Sequence, residues 1–411
     1  MTGERAGEIA CFLAQPALAR LLSALDGNGE ETRVVGGAVR NLLLGEPASD
    51  VDLATTALPQ ETIRRGKAAG FKAVPTGIEH GTVTLVAEGT SFEVTTLRRD
   101  VETDGRRAKV VFGRDFVADA LRRDFTINAL GLGRDGTLRD YCGGLDDLAQ
   151  RRVRFIGDAA ARIREDYLRI LRFFRFHARY GAGEPDAEGL RACIAGREGL
   201  AGLSRERVRA ELLKLLVAPR VSPTLQAMAG AGLLMPVIGG VPHLSRFALV
   251  AEDHGEGVHA VFRLAALAVS VGEDALRLRE RLRLSNEEFD RTARIASALE
   301  KLGGRAGLPD IAALRLVAHD AGNDATAAAL ALLNATAAGE GKDKVQRLIS
   351  ELGRTPRFEP TGKDVIGLGV PPGPRVGQAL AAARQSWIEA GCVSGMGEQI
   401  EFVRMAVAAL P

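Results

Sequence analysis

Residues 35–55 read VGGAVRNLLLGEPASDVDLAT: a glycine pair, an arginine three residues on, a short apolar run, then two aspartates spaced i, i+2. In an extended chain side chains alternate between faces, so Asp50 and Asp52 point the same way and can share divalent cations. Gly36 and Gly37 let the backbone approach an anion, and their amides would open the helix that carries Arg40. Each part alone is commonplace, since Asp-x-Asp pairs occur on solvated strand ends and a Gly-Gly step is often only a tight turn. Joined in a strand–helix–strand order, they outline a nucleotidyl-transfer site.

Strand-like runs cluster around this stretch, at Thr32–Gly36, Val51–Ala54, Thr82–Glu88 and Ser91–Leu97, the last two readable as a hairpin across Gly89 and Thr90. Helical patterns fall between them at Val39–Leu44 and Pro59–Ala69. Beyond Asp158 only helical periodicity remains, broken by glycine and proline. The expected class is α+β: a small sheet with helices, followed by helical domains. Breaks at Cys142–Gly144, around Gly181–Pro185, near Pro219–Pro223 and at Gly339–Gly341 suggest a head (1–145), neck (146–218), body (219–340) and tail (341–411). The polar segment Arg99–Asp119 reads as a long loop, and loops of that length inside compact domains are usually functional or disordered.

A chain of 411 residues with 46% hydrophobic content can bury more than one core, and its 5% aromatic content suits helices packed through small side chains. The net charge of +2 does not by itself announce a nucleic-acid binder, but residues 151–180 hold nine arginines against three acids. Four scattered cysteines without a CxxC pair fit neither a zinc ribbon nor a disulfide framework and point to a reducing cytoplasm. No N-terminal signal pattern and no apolar run of roughly 18 residues is present. A protein of the cytoplasm is expected.

Three further constellations carry chemistry. Glu93 alternates with Phe92 and Val94, so if those face the core Glu93 faces the other side of the sheet, either as a third carboxylate near the metals or as a partner of Arg98. Residues 122–129 read RRDFTINA; in isolation Arg122, Arg123 and Asp124 could be a salt-bridged helix start. Residues 165–176 read EDYLRILRFFRF. On a helix Tyr167, Ile170, Leu171, Phe174 and Ala178 form an apolar stripe, while Arg169, Arg172, Arg175 and Arg179 spiral along the other face. Their mutual repulsion asks for an anionic neighbour. Asp166 and Arg169, one turn apart, can bond each other and together mimic the Watson–Crick edge of a base.

With these motifs in order from Arg33 to Leu216, the chain resembles the polymerase-β-like nucleotidyltransferase superfamily, specifically the class II tRNA nucleotidyltransferase and bacterial poly(A) polymerase family. The resemblance implies Mg²⁺ held by Asp50 and Asp52, nucleotide bound by Gly36, Gly37, Arg40, Arg123, Asp124 and Asn128, and a ribose 2′-OH sensed by Asp124. It implies a protein template in Asp166 and Arg169, which read CTP or ATP, with Arg172 and Arg175 near phosphates. The substrate would be the 3′ end and acceptor region of tRNA, with no membrane and no obligate protein partner. Segment 99–119 would be the flexible loop that helps accept ATP. One departure is Asn41, where the family usually has aspartate. Rival activities are CC-only addition, A-only addition and poly(A) synthesis; a rival from another class is an inactive RNA-binding protein on the same scaffold.

Two minor signals stand apart. Ser204 is a plausible N-cap for the following helix, with a structural role. The dipeptide His319-Asp320, with His243, His254 and His259 upstream, loosely resembles a metal phosphohydrolase pattern, although satisfied helical histidines are far commoner.

Overall fold

The structure, a computed structural model, describes residues 3–48, 50–104, 107–252, 259–304, 307–335, 340–353, 356–392 and 395–410. Its strands are β1 (Thr32–Val35), β2 (Val51–Thr55), β3 (Lys72–Gly77), β4 (Thr82–Ala87), β5 (Thr90–Thr96), β6 (Arg98–Asp104), β7 (Arg107–Phe112), β8 (Gly131–Gly133) and β9 (Leu138–Arg139). Seven of them form one sheet in the order β3-β4-β5-β2-β1-β8-β9, while β6 and β7 pair separately. All four residues of central β1 are buried. In β5 the expected alternation holds: Phe92 and Val94 are buried and Glu93 is exposed.

Register places the chemistry. Strands β2 and β5 run parallel with Asp52 beside Glu93, and β1 runs antiparallel to β2 with Val35 beside Asp52. The chain leaving β1 through Gly36 therefore passes the same end of the sheet as the aspartates. The expected hairpin is present, with Ala87 opposite Thr90 at its turn.

The segment read as a loop is corrected. Strands β6 and β7 pair from Arg98–Phe112 to Asp104–Arg107, and Gly105 and Arg106 lie outside the described residues. Charged residues at both odd and even positions of this stretch leave no apolar alternation in the sequence, so periodicity cannot reveal the ribbon. Strand β3 escapes for another reason: it contains Pro75, which is tolerated because β3 lies at the sheet edge.

The helices of this region are α1 (Gly3–Leu13), α2 (Pro16–Leu25), α3 (Gly37–Leu43), α4 (Pro59–Ala68), α5 (Phe116–Leu121), α6 (Gly144–Ala149), α7 (Ala159–Glu165), α8 (Leu168–Tyr180) and α9 (Ala187–Ala195). Asp115 caps α5 and Asp158 caps α7, each accepting from a backbone amide of the first turn. Helix α8 buries Ile170, Leu171, Phe174 and Ala178 of the expected stripe, with Phe173 in addition, whereas Tyr167 is its N-cap and only partly buried.

The chain divides into two compact units: residues 1–203 with 218–220 and 230–233, and residues 204–217 with 221–229 and 234–411. The first holds every strand among the described residues. The second is helical among the described residues, opening with α10 (Arg205–Leu216), whose N-cap is Ser204 as expected. Within it the buried Arg263 donates to the Leu216 carbonyl at 2.9 Å, closing the end of α10. Near its C-terminus Ala379 and Ala383 of helix Pro374–Glu389 pack with Val403 and Ala406 of helix Met396–Ala408, small side chains that let two helices approach closely. Among the described residues no single helix is long and apolar enough to cross a membrane.

The histidine pattern dissolves. His319 Nδ1 lies 3.0 Å from Asp320, which also accepts from Lys301, and His243 bonds Ser270; His254 lies outside the described residues. Among the described residues no group of three potential metal-binding side chains forms.

Candidate active site

A cleft of about 690 Å³ opens in the first unit and gathers most of the residues singled out from sequence: Gly37, Arg40, Asp50, Asp52, Arg123, Asp124, Asn128, Asp166, Arg169, Arg172 and Arg175 line it. Residues about 130 apart in the chain thus share one wall-to-wall space. Two of the expected residues stand behind the lining: Gly36 and Glu93.

The acidic corner is built by the sheet. Asp52 lies within β2, and Asp50 sits one residue before the strand, so the pair straddles a strand start rather than sharing a strand interior. Asp52 opens to the cleft, yet surrounding protein strips part of its hydration. This, with the neighbouring charges of Glu93 and Asp50, pushes its pKa above the usual carboxylate value, only partly opposed by Arg123. Glu93 is therefore an electrostatic neighbour of Asp52 across the parallel ladder.

Gly36 does not offer its amide to a ligand, because that N–H donates to the Leu130 carbonyl at 3.0 Å. What it supplies is shape. Its φ is +73°, which favours glycine, and a Cβ there would lie 3.0 Å from Arg123 Nη1. The missing side chain leaves room for a guanidinium.

The motif RRDFTINA lies at the end of α5 rather than at a helix start. Arg122 is its C-cap, and both arginines reach back one turn to Asp119. Asp119 is almost fully buried; burial opposes its ionisation, but Arg123 and Arg122 outweigh that and hold its pKa below the normal value. Sequence reasoning missed this residue. Its signal is spacing, three and four residues before two arginines on one helix.

Asp124 is the hub of the wall. Its Oδ1 accepts from the Phe125 amide and from Asn128 Nδ2, both at 2.9 Å, and its Oδ2 accepts from Arg172 Nε and Nη2 at 2.9 and 2.5 Å. A carboxylate has about four acceptor positions, and all are taken. Burial would raise its pKa, but Arg172, Asn128 and the Phe125 amide outweigh it and lower it. An aromatic cluster fixes this arrangement: Phe125 packs on Phe155 and Phe176 at centroid distances of 4.9 and 5.1 Å, and Phe155 stacks on Phe173 at 5.4 Å. The motif and α8 are thereby held as one body.

Arg169 donates to the Arg162 carbonyl at 2.8 Å and pairs with Glu165, so it is steadied from the preceding helix, while Asp166 accepts from the Leu168 amide at 3.1 Å. Arg175 lies 4.5 Å over the Phe176 ring. The anionic neighbours that the arginine-rich stretch requires are largely internal. Arg152 and Arg154 share buried Asp147, Arg162 and Arg169 share Glu165, and Arg179 reaches Glu46 at 2.7 Å. Asn41 accepts from Arg40 Nε and Nη2 at 3.2 and 3.0 Å and donates to the Pro47 carbonyl at 3.3 Å, an orienting task that an amide performs.

Comparison with known proteins agrees with this geometry. The poly A polymerase head domain model matches residues 32–154, and the model described as a probable RNA and SrmB-binding site of polymerase A matches residues 186–247. The chain is 38% identical to a mitochondrial CCA tRNA nucleotidyltransferase 1 of Danio rerio over 90% of its own length and 86% of that protein's. It is 34% identical to a CCA-adding enzyme of Limosilactobacillus fermentum over 90% and 91%. The crystal structure of the Bacillus stearothermophilus CCA-adding enzyme in complex with CTP superposes with a TM-score of 0.74 at 29% identity, covering 95% of this chain and 98% of that one. Such nucleotidyltransferases generally depend on metal ions. With an acidic corner facing an arginine-lined helix, and relatives of this identity matched over nearly their whole length, the chain belongs to the CCA tRNA nucleotidyltransferase family.

Proposed function

We propose that the protein adds C and A residues from CTP and ATP to the 3′ end of tRNA without a nucleic-acid template, releasing pyrophosphate. The observation that carries this reading is the convergence of Asp50 and Asp52 with Asp166 and Arg169 on one cleft. A protein that only bound RNA would have no use for a carboxylate corner in which burial and the nearby charges of Glu93 and Asp50 raise the pKa of Asp52.

The residues fit Mg²⁺. Asp50 and Asp52 are hard oxygen donors, the crowding of Asp52 by Glu93 and Asp50 is what a cation relieves, and two carboxylates plus substrate phosphates make an adequate shell. When bound, such ions activate the RNA 3′-hydroxyl and neutralise charge that builds on the pyrophosphate. The rest is done by the chain. Arg123, braced by Asp119, presents a planar fork to phosphate oxygens, and Arg175 adds positive charge beside it. Asp166 and Arg169 present an acceptor and donors to the base edge. Because the acceptor positions of Asp124 are occupied, ribose is read by Asp124, Asn128 and Arg172 as a unit, with a 2′-OH exchanging for one of the Arg172 bonds.

The finer organisation follows the same reading: catalytic head (1–145), base-selecting neck (146–218), and body (219–340) and tail (341–411) that bind tRNA. The protein works in the cytoplasm. The test is to incubate it with a tRNA lacking its 3′ CCA and with CTP and ATP, singly and together. Addition of two C residues with CTP alone, completed by one A when ATP is present, supports the reading. Addition of C only, of A only, or of long A tracts assigns one of the rival activities, and no incorporation leaves an RNA-binding protein.

A further inference from the structure

Arg40 is held differently from three other arginines of the cleft. Arg123 pairs with Asp119, Arg169 with Glu165 and Arg172 with Asp124, whereas the bonds that Arg40 makes among the described residues go to neutral groups: Asn41, Asn128 and the Tyr180 hydroxyl. Arg40 is 6% exposed. Burial, reinforced by nearby Arg175, holds its pKa below the ordinary arginine value. A guanidinium that stays charged there without a carboxylate bonded to it suits an anion in the cleft.

We propose that Tyr180 is a positioning residue that fixes Arg40 as a receptor for the triphosphate of the incoming nucleotide. The inference rests on the nucleotidyl-transfer reading above. Tyr180 is the last residue of α8, about 12 Å of helix rise beyond Arg172. It grips the guanidinium twice: Arg40 Nη2 donates to its hydroxyl at 2.7 Å, and the Arg40 Cζ lies 4.0 Å from its ring centroid. The hydroxyl in turn donates a hydrogen bond to Asn41 Oδ1 at 3.4 Å, and that oxygen also accepts from Arg40. A guanidinium has five N–H donors. Nε and both protons of Nη2 are occupied by Asn41 and Tyr180, and one proton of Nη1 goes to Asn128. The second Nη1 proton remains for a phosphate oxygen.

A closed circuit results. Tyr180 bonds Arg40, Arg40 bonds Asn128, Asn128 bonds Asp124, and Asp124 bonds Arg172, which returns to α8 two turns before Tyr180. Helix α8, which carries Arg169 while Asp166 lies in the extended link before it, is thus tied at two points to the helix opened by the glycine pair. Because the phenol is neutral, it orients Arg40 without cancelling the charge that the ligand requires.

The experiment uses the full chain with a tRNA lacking its CCA end. Tyr180→Phe keeps the ring and removes the hydroxyl. It is expected to raise KM for both CTP and ATP about tenfold, the size of one hydrogen bond to a charged group, with kcat and the preference for C over U within twofold. In an Arg40→Lys background the same substitution is expected to add little, because Tyr180 acts through the guanidinium. Asn41→Ser, which removes the fork acceptor, is expected to show the same split and covers the case in which Tyr180→Phe does not fold. Unchanged KM in Tyr180→Phe, or effects that simply add in the double variant, would overturn the proposal. Wild-type protein that incorporates neither nucleotide overturns the nucleotidyl-transfer reading instead. The role of Tyr180 is then read by calorimetry with CTP and Mg²⁺, where an affinity about tenfold weaker in Tyr180→Phe supports it and an unchanged one refutes it.

Discussion

The two walls of the cleft are held together by opposite means. The acidic corner is placed by sheet register: Asp52 sits beside Glu93 and beside the end of β1, and the neighbouring carboxylates repel it. The arginine wall is placed by side-chain bonds. Asp119, Asp124 and Glu165 each bind a guanidinium, and a phenylalanine cluster glues the parts together. One wall concentrates charge that only a cation relieves, while the other is preorganised with much of its charge balanced. Metal-dependent chemistry needs the first arrangement, and selection of one base over another needs the second.

The contrast can be broken most directly at the acidic corner. Asp50→Ala or Asp52→Ala is expected to lower nucleotide incorporation by about a thousandfold or more, since several kcal/mol of charge stabilisation is lost, while thermal stability holds or rises. Single-turnover incorporation with a melting curve measures both, and near-normal incorporation by either variant would remove these residues from the chemistry.

On the arginine wall the expectation reverses. Asp124→Ala leaves Arg172 without its partner and should cost about 3 kcal/mol of stability, the low end for buried pairs because Arg172 keeps part of its side chain in solvent. It should also let deoxynucleotides compete better against ribonucleotides, because the unit that rejects a missing hydroxyl is dismantled. Denaturant unfolding and paired ribo- and deoxynucleotide kinetics test this; intact stability with lost sugar preference would make Asp124 a simple contact residue.

Asp166→Ala and Arg169→Ala sharpen the comparison further. Each is expected to reduce discrimination among the four nucleotides about tenfold, roughly one lost hydrogen bond at a charged group, more than it slows transfer of the nucleotide bound. Competition between CTP and UTP reads the ratio. Loss of rate with selectivity intact would make this helix a phosphate surface only.

The smallest effect is a pH dependence of opposite sign at the two walls. The raised pKa of Asp52 means the folded state holds the proton more tightly, so its contribution to stability falls as pH rises from the usual carboxylate range through the raised value. The lowered pKa of Asp124 gives stability that is present above the unfolded value and lost as pH falls through the folded one. Without metal, Asp52→Asn should therefore raise the melting temperature by a degree or so at neutral pH, about the shift expected from a few tenths of a kcal/mol, and Asp124→Asn should lower it. Added Mg²⁺ should narrow the Asp52 difference. The same sign for both variants would contradict the assignment.

What could be read in advance follows the range of the forces involved. Local rules acted within a few residues, so the strand–helix–strand order around Gly36–Asp52, the hairpin of β4 and β5, and the apolar stripe of α8 were legible as alternation and periodicity. Ser204 as an N-cap was legible for the same reason. The ribbon of β6 and β7 was not, because charged residues at both odd and even positions leave no alternation, and β3 was hidden by a proline that only an edge position tolerates.

Residue types and spacing alone determined that this chain carries an Asp-x-Asp corner, an arginine-rich stretch and an RRDFTINA motif, and it was the resemblance to a known family that joined them into one nucleotidyl-transfer machine. Only the tertiary structure decided what each charge touches. It took the Gly36 amide for Leu130, filled the acceptor positions of Asp124, and carried Tyr180 across 140 residues of chain to Arg40. A hydrogen bond is satisfied by whichever partner packing delivers to within about 3 Å, and sequence separation does not enter that distance.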